Sequence, residues 1–133
     1  MDVLSILIDW FPYLLSGVTV TIGLVIAALG IGIILGLPMA IGQVYGSRPV
    51  RSLIGVYVWF FRGLPILVLL FLFWFGIFPG IGLGHLPAFI VGAVVLGLRG
   101  AAYQSQIFRG GIQSVGEGQM IAARSLGMSR LTA

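Results

Sequence analysis

The stretch LLSGVTVTIGLVIAALGIGIILGLPMAI, residues 14–41, decides the fold class, because it carries no Asp, Glu, Lys or Arg. The charge-free run around it extends from Asp9 to Arg48, and a second such run separates Arg62 from Arg99. Each is longer than the roughly 18–20 apolar residues that a helix needs to cross a bilayer. The rest of the composition agrees. Of 133 residues, 59% are hydrophobic and 8% are charged, against about 25% charged in an ordinary soluble domain. A mean hydropathy of +1.18 leaves too little polar surface to cover a water-soluble globule, which excludes a soluble enzyme domain. The absence of cysteine excludes a disulfide scaffold.

Three spans follow from the apolar runs: residues 14–41, 53–78 and 86–108. At 1.5 Å per residue each is roughly 34 to 42 Å long, enough to cross a ~30 Å core with some tilt. Three such segments cannot close a β-barrel, and hydrocarbon does not tolerate unpaired backbone, so all three are read as helices. The sequence has no internal repeat and no soluble domain, and residues 1–133 are read as one all-α transmembrane unit. The leading segment is not read as a cleaved signal peptide, because Asp2 stands where a positive n-region belongs and the first apolar run is too long. The lipid bilayer is therefore the first partner.

All seven cations are Arg, scattered along the chain and, Arg62 and Arg99 apart, outside the apolar spans. None forms the compact basic run of a nucleic-acid patch, so the net charge of +4 implies topology and not nucleic acid. The first connection carries Arg48 and Arg51, the Gly-rich connection at residues 79–85 carries none, and the segment after the third span carries Arg109, Arg124 and Arg130. The positive-inside rule then places the first connection and the C-terminal segment in the cytoplasm. The N-terminus, with Asp2 and Asp9, is expected outside, and Trp10, Phe11 and Tyr13 fit an aromatic belt there.

Within the spans, Gly32 and Gly36 form a small-x-x-x-small pattern, read either as close helix packing or as part of a mobile helix pair. Pro65 removes one backbone N–H and should kink or begin a helix, so that residues 53–61 form a separate piece. Arg99 lies deep in the third span, where an isolated Arg costs on the order of 2.5–3.5 kcal/mol. Tyr103 and Gln106 follow at i+4 and i+7, on the same helical face, which should line a bundle interior or cavity. Two fates are open to Arg99: receiving the carboxylate of a solute, with Tyr103 and Gln106 as neighbours, or being satisfied by backbone carbonyls or an acid elsewhere. His85 stands in the outer turn without Cys or acidic neighbours, so no metal site is expected. No Gly-x-x-x-x-Gly-Lys-Ser/Thr loop and no carboxylate cluster for Mg²⁺ exist, so neither a cofactor nor ATP chemistry is expected on this chain.

After the third span, Ala122 and Ala123 favour helix and Gly127 suits a left-handed stop. On composition this is either an amphipathic cytoplasmic helix or a short helix able to enter a groove on a partner.

Three stretches carry a resemblance. Phe61-Arg62-Gly63-Leu64-Pro65-Ile66-Leu67-Val68 with Phe73-Trp74-Phe75-Gly76 resembles the second span of polar amino-acid ABC importer permeases. Ala102-Tyr103 and residues 107–114 are similar to their third span and its exit. Gly118-Gln119 with residues 122–129 resembles the cytoplasmic EAA loop, here residues 110–133, with Ile121 in place of the motif's Glu. The resemblance implies the permease fold of an ATP-driven importer of polar amino acids in the cytoplasmic (inner) membrane, with this chain forming the translocation path. It implies that Gln119, Ala122, Ala123, Arg124 and Gly127 dock the ATPase. It also implies three kinds of partner: cytoplasmic ATPase subunits, a second permease subunit in a homo- or heterodimer, and an extracytoplasmic amino-acid-binding protein. Such permeases continue through about two more spans, so the chain is expected to be an N-terminal fragment. The competing reading is a small multi-span scaffold protein that moves nothing.

Overall fold

The computed structural model describes residues 3–129 and 132, with residues 5–7 described by their backbone alone. Asp2 and Arg130, which helped to orient the chain, lie outside the described residues. The described chain is mostly helical: α1 (Val3–Tyr45), α2 (Arg48–Gly63), α3 (Ile66–Phe71), a π-helical segment (Leu72–Ile77), α4 (Phe78–Gly80), α5 (Ala88–Ser114) and α6 (Glu117–Ser125). Two helices, Ile8–Tyr45 and Ala88–Ser114, are long and apolar enough to cross a membrane, and the bent pair formed by residues 48–63 and 66–80 makes a third if it counts as one span.

The helices run past the expected spans in two places, and the second span breaks at Pro65 as its proline requires. The first helix runs well beyond residues 14–41 at its N-terminal end and continues through Pro12 and Pro38. Helical hydrogen bonding persists after hydropathy falls, so the apolar run marks the lipid-facing part and not the helix end. The third span is helical over 88–114 instead of 86–108, so the start of the expected loop at 110 still belongs to α5. The second span is not one helix: its halves meet at 107°. Leu64 is extended, with ψ 141°, because the ring of Pro65 disfavours the α region in the preceding residue. Pro65 then serves as N-cap of α3, where its missing N–H costs nothing.

Helices α1 and α5 form the main seam and run parallel. A Cβ on Gly23 would touch Phe89, one on Gly97 would meet Ile31, and one on Gly36 would lie 3.2 Å from the carbonyl of Ala101, so residue numbers rise together along the pair. Gly32 and Gly36 are buried in this seam, as close packing requires. The second cluster joins α2, α3 and the π segment to α5. Val58, Phe61, Leu69, Phe73 and Phe78 pack with Val91, Val95 and Ala102. The π turn has a local cause. Leu69 and Phe73 are four residues apart and Phe73 and Phe78 five, a spacing that an α-helix would rotate off the core face. The wider turn keeps Phe78 on it, 5.6 Å edge-to-face from Phe73.

Candidate functional site: the break in the second span

The break at Leu64–Pro65 leaves the last carbonyls of α2 without intrahelical donors, as at any helix C-terminus. Water is the usual remedy, but here α5 supplies it. Arg99 Nη1 donates to the Leu64 carbonyl at 2.6 Å and to the Phe61 carbonyl at 3.5 Å. A cation at a helix C-terminus is also favoured by the helix dipole. Arg99 Nη2 donates to the Tyr103 hydroxyl at 3.2 Å. Tyr57 fixes the same junction from the other side, its hydroxyl donating to the Leu98 carbonyl at 2.7 Å.

Of the two fates open to Arg99, the backbone-carbonyl contacts are present. They do not exhaust the side chain. A guanidinium has five N–H donors, and Nε–H and one Nη2–H have no protein partner among the described residues. Tyr103 is brought to Arg99 as its i+4 position requires. Gln106 is not part of that group: its Nε2 donates to Gln43 Oε1 of α1 at 2.8 Å and to Ser105 Oγ at 3.2 Å. The shared helical face therefore divides between two neighbours, α2 for Arg99 and α1 for Gln106.

Arg62 is a further member of the site, one the Arg99 face does not indicate. It ends α2, is exposed, and its guanidinium carbon lies 5.0 Å from the centroid of the Tyr103 ring. Arg99 lies 5.3 Å from the same centroid. Beside Arg62 and Tyr103 is a shallow, open depression of about 360 Å³, lined by Val58, Trp59, Arg62, Gly63 and Tyr103 and not by Arg99. Arg62 stood beside Gly63-Leu64-Pro65 in the sequence, and a cation at a breaking helix end was the available signal. A separate apolar groove of about 350 Å³ between α1 and α5 is lined by residues including Thr21, Ala28, Gly100 and Gln104. Gln104 Oε1 is buried there without a hydrogen-bond partner, and the same side chain fills the space that a Cβ on Gly32 would take.

The helix assigned to ATPase docking stands apart from this core. In α6, Gln119, Ala122 and Arg124 are exposed and Ala123 half-buried, and the Ile121 side chain is exposed. Its end is closed by two backbone bonds, Gly127 N–H to the Arg124 carbonyl at 3.0 Å and Met128 N–H to the Ala123 carbonyl at 3.2 Å, with Gly127 at φ +87°. That is a Schellman stop, which a residue with a Cβ fills poorly. No group of three or more His, Cys, Asp or Glu side chains able to hold a metal ion occurs among the described residues.

Comparison with known proteins places this architecture. The chain is 38% identical over 137 aligned residues to the nopaline transport system permease protein of Agrobacterium fabrum, covering 97% of this chain and 56% of that protein. It is 36% identical to the L-cystine transport system permease protein of Bacillus subtilis, over 91% of this chain and 53% of that one. It is also 36% identical to the glutamate/aspartate import permease protein of Escherichia coli O6:H1, over 94% and 58%. The chain thus spans little more than half the length of these relatives. A crystal structure of an amino acid ABC transporter with histidines superposes with a TM-score of 0.83 at 35% identity, covering 98% of this chain and 60% of that chain. Residues 28–133 match the family described as binding-protein-dependent transport system inner membrane component, and the chain belongs to that family.

Proposed function

We propose that this chain is a path-forming membrane subunit of an ATP-driven importer of polar amino acids. The observation that carries the reading is its likeness, in sequence and fold along 98% of its length, to an amino acid ABC transporter. In this reading ATP is hydrolysed on separate cytoplasmic subunits, an extracytoplasmic binding protein delivers the cargo, and a second permease subunit completes the path. The relatives' names, for nopaline, L-cystine and glutamate/aspartate, support an amino-acid cargo.

Helix α6 docks the ATPase through Gln119, Ala122, Ala123, Arg124 and Gly127. Its exposure and its sharp Schellman stop support this, since a short helix offered away from the core can enter a groove. Arg99 and Tyr103 face the cargo where the second span breaks, and the free donors of Arg99 suit a carboxylate; broken helices build such sites in other transporters. Gln106 contributes from the next turn, through its link to Gln43. The N-terminus is outside. The parallel course of α1 and α5 supports this, because it brings the Arg48–Arg51 end and the Arg109 end to one side.

The test is the importer assembled with its ATPase and binding protein in proteoliposomes. Ala123→Asp inserts an unpaired charge into a packed interface, at a cost of several kcal/mol, and should abolish ATPase association. Arg99→Gln should lower uptake while assembly persists. Intact association and uptake in Ala123→Asp would remove α6 from the coupling role, and failure of the native chain to bind any ATPase subunit would favour the scaffold reading. Impermeant thiol labelling of Ser47→Cys from outside intact cells would overturn the topology.

A further inference from the structure

The two halves of the second span are held to α5 in different ways. α2 is hydrogen-bonded to it in both directions: Tyr57 donates its hydroxyl to the Leu98 carbonyl at 2.7 Å, and Arg99 Nη1 donates to the Leu64 carbonyl at 2.6 Å. Directional bonds of this kind fix an angle as well as a separation. Residues 66–80 meet α5 through apolar side chains alone. Leu69, Phe73 and Phe78 pack with Val91 and Val95, and among the described residues no hydrogen bond joins that stretch to α5. Apolar contact has no preferred direction, so such surfaces can slide.

Between the halves lies a joint. Among the described residues no backbone hydrogen bond crosses Leu64–Pro65, and the next one runs from the Leu69 N–H to the Pro65 carbonyl at 3.1 Å. Leu64 and Pro65 have ψ of 141° and 143°. Both angles lie near the middle of the broad β region, so each can turn about 30° either way at little cost. Beyond the joint the chain is one rod. Phe71, Leu72, Ile77 and Phe78 all keep right-handed helical dihedrals, so α3, the π segment and α4 move together. The turn of residues 81–87, with Gly82 at φ +80°, joins the rod to α5 and is long enough to follow it.

We infer that Leu64–Pro65 is a hinge: Tyr57 and Arg99 clasp α2 to α5, and residues 66–80 swing about the joint as a moving wall of the transport path. The role in transport rests on the function proposed above; the hinge itself does not. A few residues at the ends of stiff elements, absorbing the dihedral change, are the usual construction of a hinge. Broken helices line the path in other transporters. Phe75 stands ten residues past Pro65, about 15 Å along the rod. A turn of about 15°, half the range open to either ψ, carries it about 4 Å.

The chain has no cysteine, so spin labels can be placed in pairs on Val56→Cys, Phe75→Cys and Ile107→Cys, exposed positions on α2, the rod and α5. In the full chain in nanodiscs, double electron–electron resonance should give a narrow distance distribution for the 56/107 pair and one broader by about 4 Å for the 75/107 pair. Pro65→Ala returns an N–H that can bond the Phe61 carbonyl four residues earlier, and should narrow the 75/107 distribution to the width of the other. Tyr57→Phe opens one side of the clasp and should widen the 56/107 distribution. Equal widths for the two pairs in the native chain, or a 75/107 width unchanged by Pro65→Ala, would overturn the hinge. In the assembled importer Pro65→Ala should lower uptake at least tenfold while ATPase association persists, and unchanged uptake would overturn the moving wall. A native importer that carries no amino acid would overturn the cargo reading and the transport role with it, while the distance distributions still decide the hinge.

Discussion

Gly97→Ala tests the seam on which everything else hangs. A Cβ at Gly97 would lie 2.6 Å from Ile31 Cβ, 2.7 Å from its Cγ2 and 3.1 Å from its Cδ1. Carbon atoms in contact sit at about 3.5–4.0 Å, so about 1 Å must be found. The nearest atom is itself a Cβ, fixed to the α1 backbone, and no rotamer change of Ile31 moves it. The helices must part, which also loosens the contacts of Gly32 and Gly36 along the same seam. Overpacking of this kind costs about 1–3 kcal/mol, and the better helix propensity of Ala returns somewhat less than 1 kcal/mol. With an overpacking cost at the upper end, as a fixed Cβ–Cβ clash implies, the expected net loss is up to about 2 kcal/mol, a shift of up to roughly thirtyfold in the unfolding equilibrium. The assay is reversible unfolding in mixed detergent micelles, followed by circular dichroism. Gly30→Ala is the control: nothing lies within 4 Å of its Cβ position, so it should be neutral or slightly stabilising. The double variant Gly97→Ala/Ile31→Gly removes the clash and should show a favourable coupling of about 1 kcal/mol or more. Equal stability of Gly97→Ala and the native chain, or zero coupling in the double variant, would refute the close approach.

Three further outcomes follow from single contacts. Tyr57→Phe deletes the 2.7 Å bond to the Leu98 carbonyl and should cost about 0.5–1.5 kcal/mol in the same unfolding assay. Arg51 donates from Nε to the Gly46 carbonyl at 2.9 Å and from Nη2 to the Val44 carbonyl at 3.1 Å; Arg51→Ala should fray the end of α1, read as faster hydrogen exchange at the Gly46 amide. Gly127→Ala places a Cβ at φ +87°, costing about 1–2 kcal/mol locally, and should speed exchange at the Met128 amide about fivefold or more without changing α1 or α5.

The apolar runs and the Pro65 break were legible because both are local: hydropathy needs only composition, and proline carries its restriction in its own ring. The ends of the helices were not, because water satisfies a frayed turn almost as well as another turn does, and no residue marks where α1 leaves lipid. The uneven spacing of Leu69, Phe73 and Phe78, four then five, already contained the π turn, but only once Phe61 and Val91 gave those side chains a common target. The site was half legible for a deeper reason. Arg99 announced itself as an isolated cation in an apolar run, yet its partners are the carbonyls of Phe61 and Leu64, and a carbonyl has no sequence signature. They become acceptors only because Pro65 stops α2 at the depth where α5 carries its Arg. The same reasoning explains Arg62, which reads as an interfacial charge until the 107° bend turns the end of α2 toward Tyr103. Break and cations thus have one cause. A second span running straight through residues 53–78 would keep its carbonyls bonded internally and leave Arg99 unpaired in hydrocarbon. The proline that interrupts the helix is therefore what makes an arginine tolerable there.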